Sequence, residues 1–317
     1  MAALSLPAAR PLPASAQGFP SRPVTWVVPS AAGGITDASA RLVAQKMAAR
    51  LGQPVVVENR PGAGGTIGTE QVSRAAPDGY TLLYGTQNTH AVAPLLFPGL
   101  HYDPVRDFTP VWGLGAAVNL LVVNPALPIH SVAELVARAK AEPDAINYAS
   151  TGIGTGQHMA GELFQQVAGV RMTHVPYAGY QQALNDLTTG RMDIMFDYAL
   201  TSLPHVREGR LRALAVTATE RLAVAPEVPT IGEAGLPGAE MMGWAGVYVP
   251  ARTPPPVVER LAEAVSAALR DPAVAEFFDR TGTARWPDTS GADMRRVLAE
   301  EIVRARELVS RAGPRAN

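Results

Sequence analysis

The stretch Arg22–Asp37, RPVTWVVPSAAGGITD, decides the fold. Thr25–Val28 is a β-branched and aromatic run and reads as a buried strand. Pro29–Thr36 is a Gly-rich loop. From Asp37 onward Val43, Met47 and Leu51 recur at i, i+4 and i+8, the spacing of a helix face, and Gly52 stops the helix. Strand, glycine loop and helix in that order predict an α/β unit whose loop lies at the carboxyl end of a strand, where open α/β sheets bind ligands.

Working outward, the same alternation continues. Val55–Val57 and Tyr80–Tyr84 read as strands, with a helix over Ile67–Ala76 between them and a turn at Pro77-Asp78-Gly79. The pattern then restarts. Leu120–Val123, Ile146–Ala149, Thr173–Val175, Met192–Phe196 and Leu211–Thr217 are strand candidates. Helices are predicted from the Ser131/Glu134 capping box to Ala141, over Gln157–Ala168, and in short form at Ala183–Leu187 and Pro204–Glu208. The last third is helical, with one helix entered at Pro254-Pro255-Pro256 and another capped by Ser290 and Asp293. A chain of 317 residues built this way suggests two α/β domains, each a parallel sheet with helices on both faces. Ala225–Gly238 and Val249–Pro256 read as connections.

Composition excludes several functions. Lys and Arg number 27 against 28 Asp and Glu, so there is no basic field for nucleic acid or an anionic membrane. With no Cys, thiolate metal sites, disulfides and Cys nucleophiles are ruled out. The most apolar stretch, Val111–Leu127, is broken by Gly113, Gly115, Asn119, Asn124 and Pro125 and is not a membrane span. Residues 1–21 show no periodicity. Ala14-Ser15-Ala16 before Gln17 reads as the cleavage site of an export signal whose apolar part is expected upstream of Met1, the alternative being a disordered tail.

Two loops share one design. Pro29–Thr36 and Ser150–Gly156 each join a strand to a helix, with glycines for close backbone approach and unpaired N–H groups at a helix start that favour an anion. Ser30, Thr36, Thr151 and Thr155 add hydroxyls. Each loop alone is equally consistent with a turn and an N-cap, Thr36 or Thr155 closing its own helix; the pair points to a ligand. Gly85–His90 follows a strand, so Thr86 and Asn88 are placed at the cleft as neutral donors. For His90 and His158 local packing is the expected role. Gly62–Gly65 reads as a tight turn, and Asp37 as a structural partner of the helix dipole, or of a ligand ammonium or water. These loops contain no Arg or Lys, and Arg60 and Arg171 are expected to be exposed, which predicts carboxylate capture by helix starts and hydroxyls without an Arg clamp. Two facing helix starts suggest an anionic group near one lobe and a second polar group at the other. No nucleotide loop, G-x-S-x-G, H-E-x-x-H or metal-spaced His set occurs, and no enzyme activity or cofactor is expected.

Several segments in order resemble the Bug-type receptors of tripartite tricarboxylate transporters. They are the opening Arg22–Asp37, Val56–Gly65, Pro77–Leu82, Asn147–Thr155, His174–Gly179, Gly190–Asp197 and Val228–Glu233, within about residues 22 to 312. The resemblance implies a two-lobed, type II-like periplasmic-binding-protein fold, each lobe a mainly parallel sheet flanked by helices, with a cleft between them. It implies lobe 1 from 22–123 plus 244–317 and lobe 2 from 124–243. It implies a pocket drawing on Ser30, Gly33, Gly34 and Thr36, then Thr86 and Asn88, then Thr151, Gly154, Thr155 and His158, with Asp197 at the distal end. It further implies an exported, periplasmic monomer that hands a small carboxylate to membrane permease subunits. A ligand sensor of the same fold is the alternative. Ala31-Ala32 and Tyr180 depart from the family pattern and leave the ligand open.

Overall fold

The structure is a computed structural model and describes residues 18–97 and 99–312. The Ala14–Gln17 motif lies outside the described residues. The chain runs β1 (Val24–Val28), α1 (Ile35–Leu51), β2 (Val55–Asn59), α2 (Thr66–Ser73) and β3 (Thr81–Thr86). A π-helical turn (Asn88–Val92) leads into α3 (Ala93–Leu96) and then β4 (Phe108–Val123). The second half opens with α4 (Val132–Ala141), β5 (Asn147–Ser150), α5 (Gly156–Ala168) and β6 (Thr173–Pro176). It continues with α6 (Tyr180–Thr188), β7 (Ile194–Tyr198), α7 (Ala199–Arg207) and β8 (Arg212–Val216). The chain then returns through β9 (Met242–Pro250), α8 (Pro255–Leu269), α9 (Pro272–Thr281), β10 (Thr283–Arg285) and α10 (Gly291–Ala312).

The strand order is β2-β1-β3-β9-β4-β7-β5-β6, with β8 and β10 also paired to β4. The expected parallel arrangement holds for β2-β1-β3 and for β6-β5-β7; the strands between them are antiparallel. Strand β4 serves both halves. Up to Val118 it pairs with β9, and from Asn119 it pairs with β7 and β8. Asn119 pins this change of partner: its N–H donates to Thr217 Oγ1 (2.9 Å) and its side chain to the Phe196 carbonyl (2.8 Å). The fold is therefore two α/β lobes joined by crossing strands.

Burial on both faces explains the continuous apolar runs. Trp26 and Val28 face α1 and α8, while Val27 faces the opposite core. In the second lobe Ile194 and Phe196 pack with α5, and Met195 packs with α6 and α7. Helix α10 bridges the halves: Glu301 accepts from Gln87, and the Leu308 carbonyl accepts from Gln166 of α5 at 2.7 Å. Strand β9 and helix α9 were not anticipated, and β4 begins twelve residues before the predicted Leu120 (120 − 108). Its first part carries Pro110, Gly113 and Gly115, which read as breakers but sit where the ladder shifts register. Among the described residues no helix is long and apolar enough to cross a membrane.

Candidate functional site

The carboxyl ends of β1, β3, β5, β6 and β7 converge on one cavity of about 1080 Å³. At the β1–α1 loop Gly33 has φ +88°, a backbone that side chains resist, and its N–H donates to Asp37 Oδ2 at 3.0 Å. The other Asp37 oxygen accepts from Asn59 Nδ2 (3.0 Å) and pairs with Arg41 Nε (2.9 Å), and Asn59 also donates to the Ser30 carbonyl (3.1 Å). Asp37 is therefore structural. Burial raises its pKa, but the Arg41, Gly33 and Asn59 hydrogen bonds outweigh this and hold it below the usual carboxylate range. Helix α1 begins at Gly34 with no side-chain cap, so its first N–H groups face a wall formed by Gly33, Gly34 and Thr36. Beside them the Ser30 hydroxyl is buried without a partner. These are the features of an anion seat.

The β5–α5 loop differs. Thr155 lines the cavity, but its hydroxyl donates to the Gly152 carbonyl (2.8 Å) and accepts from His158 N–H, so it caps its own helix. The two loops are thus not equivalent, and the expectation of matched helix starts is corrected. Three expected site residues do not line the cavity. Gly154 turns its N–H to His158 Nδ1 (3.0 Å) and packs against Asn88 across the lobes. His158 braces that loop from behind, stacked on His174 with ring centres 4.0 Å apart. Burial holds His158 down to about 4, and burial and then the neighbouring His158 hold His174 down to about 3. Asp197 is fully buried behind the wall.

Asp197 nevertheless organises the site. Its Oδ1 accepts from Gln157 Nε2 (2.9 Å), and its Oδ2 accepts from Tyr180 (2.8 Å), Thr201 (2.9 Å) and Ser202. Gln157, Tyr180 and Thr201 all line the cavity. Gln157 Oε1 in turn accepts from both the N–H and the hydroxyl of Thr151, each at 2.8 Å. Burial pushes the Asp197 carboxyl above its ordinary range against the pull of these donors. Sequence reasoning missed Gln157, Thr201 and the role of Tyr180; a glutamine directly after a glycine loop was the only local signal.

The remaining loops close the mouth. Thr86 and Asn88 line the cavity, and the Asn88 amide donates to the Gly64 carbonyl. His90 lies in the core against Tyr248 (4.2 Å), held down to about 3 by burial. Gly62–Gly65 is more than a tight turn: it forms part of the wall, and a side chain on Gly65 (φ +94°) would sit 2.9 Å from the Pro29 carbonyl. No charged side chain among the described residues lines the cavity. Arg60 pairs with Glu58 and Arg171 with Asp144 (2.7 Å), all at the surface or half-exposed. A further wall is apolar: Leu114 from β4, with Phe277 and Phe278 from α9.

Two lobes sharing crossing strands around a deep, uncharged cavity define a solute-binding receptor. Residues 39–313 match the family described as the tripartite tricarboxylate transporter family receptor, and the chain belongs to it. It is 37% identical over 303 residues to Protein BugT of Bordetella pertussis, covering 95% of this chain and 92% of that one. Among solved structures it is similar to MatC of Rhodopseudomonas palustris with bound malate (TM-score 0.86, 39% identity, 92% of this chain and 99% of that one). It is likewise similar to an R. palustris protein solved with adipate (TM-score 0.88, 37% identity, 93% and 98%). The family is one of receptors, not enzymes.

Proposed function

We propose that this chain captures a small carboxylate in the interlobe cavity and delivers it, from the periplasm, to the membrane permease subunits of a tripartite transporter. The observation that carries the reading is the uncapped start of α1 beside the buried, unpartnered Ser30 hydroxyl. Backbone N–H groups, the helix dipole and a free hydroxyl together suit a carboxylate and need no cation. Gly33, Gly34 and Thr36 complete that seat, Thr86 and Asn88 flank it, and Thr151 and Thr155 face it from the second lobe. The malate and adipate bound by similar receptors support the same ligand class. We assign residues 22–123 plus 244–317 to lobe 1 and 124–243 to lobe 2, working as a monomer that closes about β4 and β9. A thermal-shift screen of small carboxylates tests the proposal, since a ligand bound only by the native state raises the melting temperature by mass action. A panel of mono-, di- and tricarboxylates that leaves the melting temperature unmoved would refute it.

A further inference from the structure

The second-lobe loop Ser150–Gly156 is held from behind by two imidazoles. His174 Nε2 meets the Ser150 hydroxyl at 2.6 Å, and His158 Nδ1 accepts the Gly154 N–H at 3.0 Å. Between these anchors lie Thr151, Gly152 and Ile153, all of which line the cavity. The Gly154 bond exists only while His158 Nδ1 carries no proton, because a protonated imidazole donates from both nitrogens. The titratable groups facing His158 are His174 from β6, stacked at 4.0 Å, Glu162 one turn on, with Oε1 3.8 Å from Nε2, and Tyr148 from β5, whose ring lies nearly parallel and whose hydroxyl donates to Glu162 at 2.6 Å.

The same loop is one half of a contact between the lobes. Gly154 has φ +80°, and a side chain there would run into Asn88 Oδ1 from the first lobe. Gly64, with φ +64°, stands against the Ile153 carbonyl, which an added Cβ would meet at 2.8 Å. Asn88 ties the two points together: its amide donates to the Gly64 carbonyl while its buried Oδ1 faces Gly154. Glycine at both positions is what lets the two loops approach this closely.

We propose that His158, backed by His174, is the positioning residue of an interlobe latch that holds the cavity closed over its ligand. Its unprotonated Nδ1 fixes the turn at Gly154, that turn seats against Asn88 and Gly64, and the seated loop presents Thr151, Gly152 and Ile153 to the ligand. This rests on the carboxylate reading above only for what the ligand is. With the latch seated, burial holds His158 down to about 4. Opening the lobes parts Gly154 from Asn88 and lets water reach the loop, which moves the ring toward its ordinary value of about 6.5. Ligand release is therefore coupled to proton uptake. Affinity is fully present above the open-state pKa and is lost as pH falls below it.

Three variants separate the parts. Asn places its Oδ1 where His has Nδ1, so His158→Asn keeps an acceptor for Gly154 and cannot titrate; His158→Leu removes the acceptor; Gly154→Ala blocks the seat. With adipate as the probe, calorimetry at about pH 7.5 is expected to show about a tenfold loss of affinity in His158→Leu and less than about threefold in His158→Asn. Between about pH 7.5 and 5.5 the wild type should lose about three- to tenfold in affinity relative to His158→Asn, the titration of adipate itself being common to both. In the ligand-free protein, spin labels on the exposed positions Gln71→Cys of α2 and Asn185→Cys of α6 meet no competing thiol, since the chain has no Cys. They should lie farther apart in His158→Leu and Gly154→Ala than in the wild-type background, and unmoved in His158→Asn. An affinity ratio that stays flat with pH, His158→Asn behaving as His158→Leu, or label distances unchanged by Gly154→Ala overturns the latch and leaves the receptor reading intact. If neither adipate nor malate binds the wild type, the carboxylate reading falls and the label distances alone decide the latch.

Discussion

Asp197→Asn is the substitution that most directly tests how the wall of the cavity is held. The carboxylate receives four donors, Gln157 on one oxygen and Tyr180, Thr201 and Ser202 on the other. An amide supplies a single acceptor oxygen and sets an NH₂ in place of the second. If the amide oxygen stays with the three hydroxyls, its NH₂ opposes the NH₂ of Gln157. Gln157 relieves this only by flipping, and the flip turns its own NH₂ onto Thr151, whose N–H and hydroxyl both need an acceptor there. Either way one or two hydrogen bonds to a charged group are lost, at about 1.5–3 kcal/mol each, partly offset by removing a buried charge. We expect roughly 2–3 kcal/mol of destabilisation at pH 7 in urea unfolding, and about a tenfold loss of carboxylate affinity by calorimetry as Gln157, Tyr180 and Thr201 lose their anchor.

The pH dependence gives an independent sign. The folded-state pKa of Asp197 lies above its unfolded value, with burial as the leading cause. Its contribution to stability is therefore fully present below the unfolded pKa and is lost as pH rises through the folded value. The variant lacks this titration, so the stability gap between wild type and Asp197→Asn should narrow as pH rises through that range. An unchanged unfolding midpoint together with unchanged affinity, or a gap that widens with pH, would refute the reasoning.

Ser30→Ala is expected to weaken carboxylate binding by about 1–2 kcal/mol, read by calorimetry, with unfolding stability changed by less than about 0.5 kcal/mol because the hydroxyl has no partner in the protein. Thr155→Ala removes a helix cap whose donor is already spent on Gly152, so its main cost is expected in stability, about 1 kcal/mol in urea. His158 is held neutral by burial down to about 4 from an ordinary 6.5, so wild-type stability should fall as pH drops from 6.5 toward 4, by on the order of 3 kcal/mol from this group. His158→Gln should flatten that acid limb in pH-dependent thermal unfolding. Because no charged side chain among the described residues lines the cavity, raising NaCl from about 50 to 500 mM should change carboxylate affinity less than about threefold.

Much of the fold was legible because its signals are local. The run Thr25–Val28, the glycines at 33 and 34 and the stripe Val43-Met47-Leu51 each depend on neighbours within two turns, and β1 and α1 form where those signals fall. The first twelve residues of strand β4, Phe108–Asn119, were not legible. Sixteen residues is far longer than the usual strand of about five or six, and its Gly113, Gly115 and Asn119 look like punctuation. In the fold the glycines sit at register shifts, and Asn119 is satisfied by Thr217, 98 positions away in sequence. The glycine loops were legible as sites, but not the direction in which each N–H points. Gly154 and His158 satisfy each other instead of lining the cavity, a choice set by the His174 ring stacked beneath them.

Asp197 shows how a correct topological rule can place the wrong atom. The rule puts the end of β7 at the cleft, and it is there; Tyr198 lines the cavity. Side chains alternate along a strand, however, so Asp197 shares a face with Met195, which packs under α6 and α7, while Phe196 faces α5. The first turns of α6 and α7 therefore supply its donors, Tyr180 from one and Thr201 and Ser202 from the other. Gln157 reaches over the strand end from α5 on the opposite face. One buried carboxylate thus fixes three helices from both sides of the sheet where they meet the ligand. The residue that the resemblance placed in the pocket thus acts from behind its wall, by fixing polar side chains that line it.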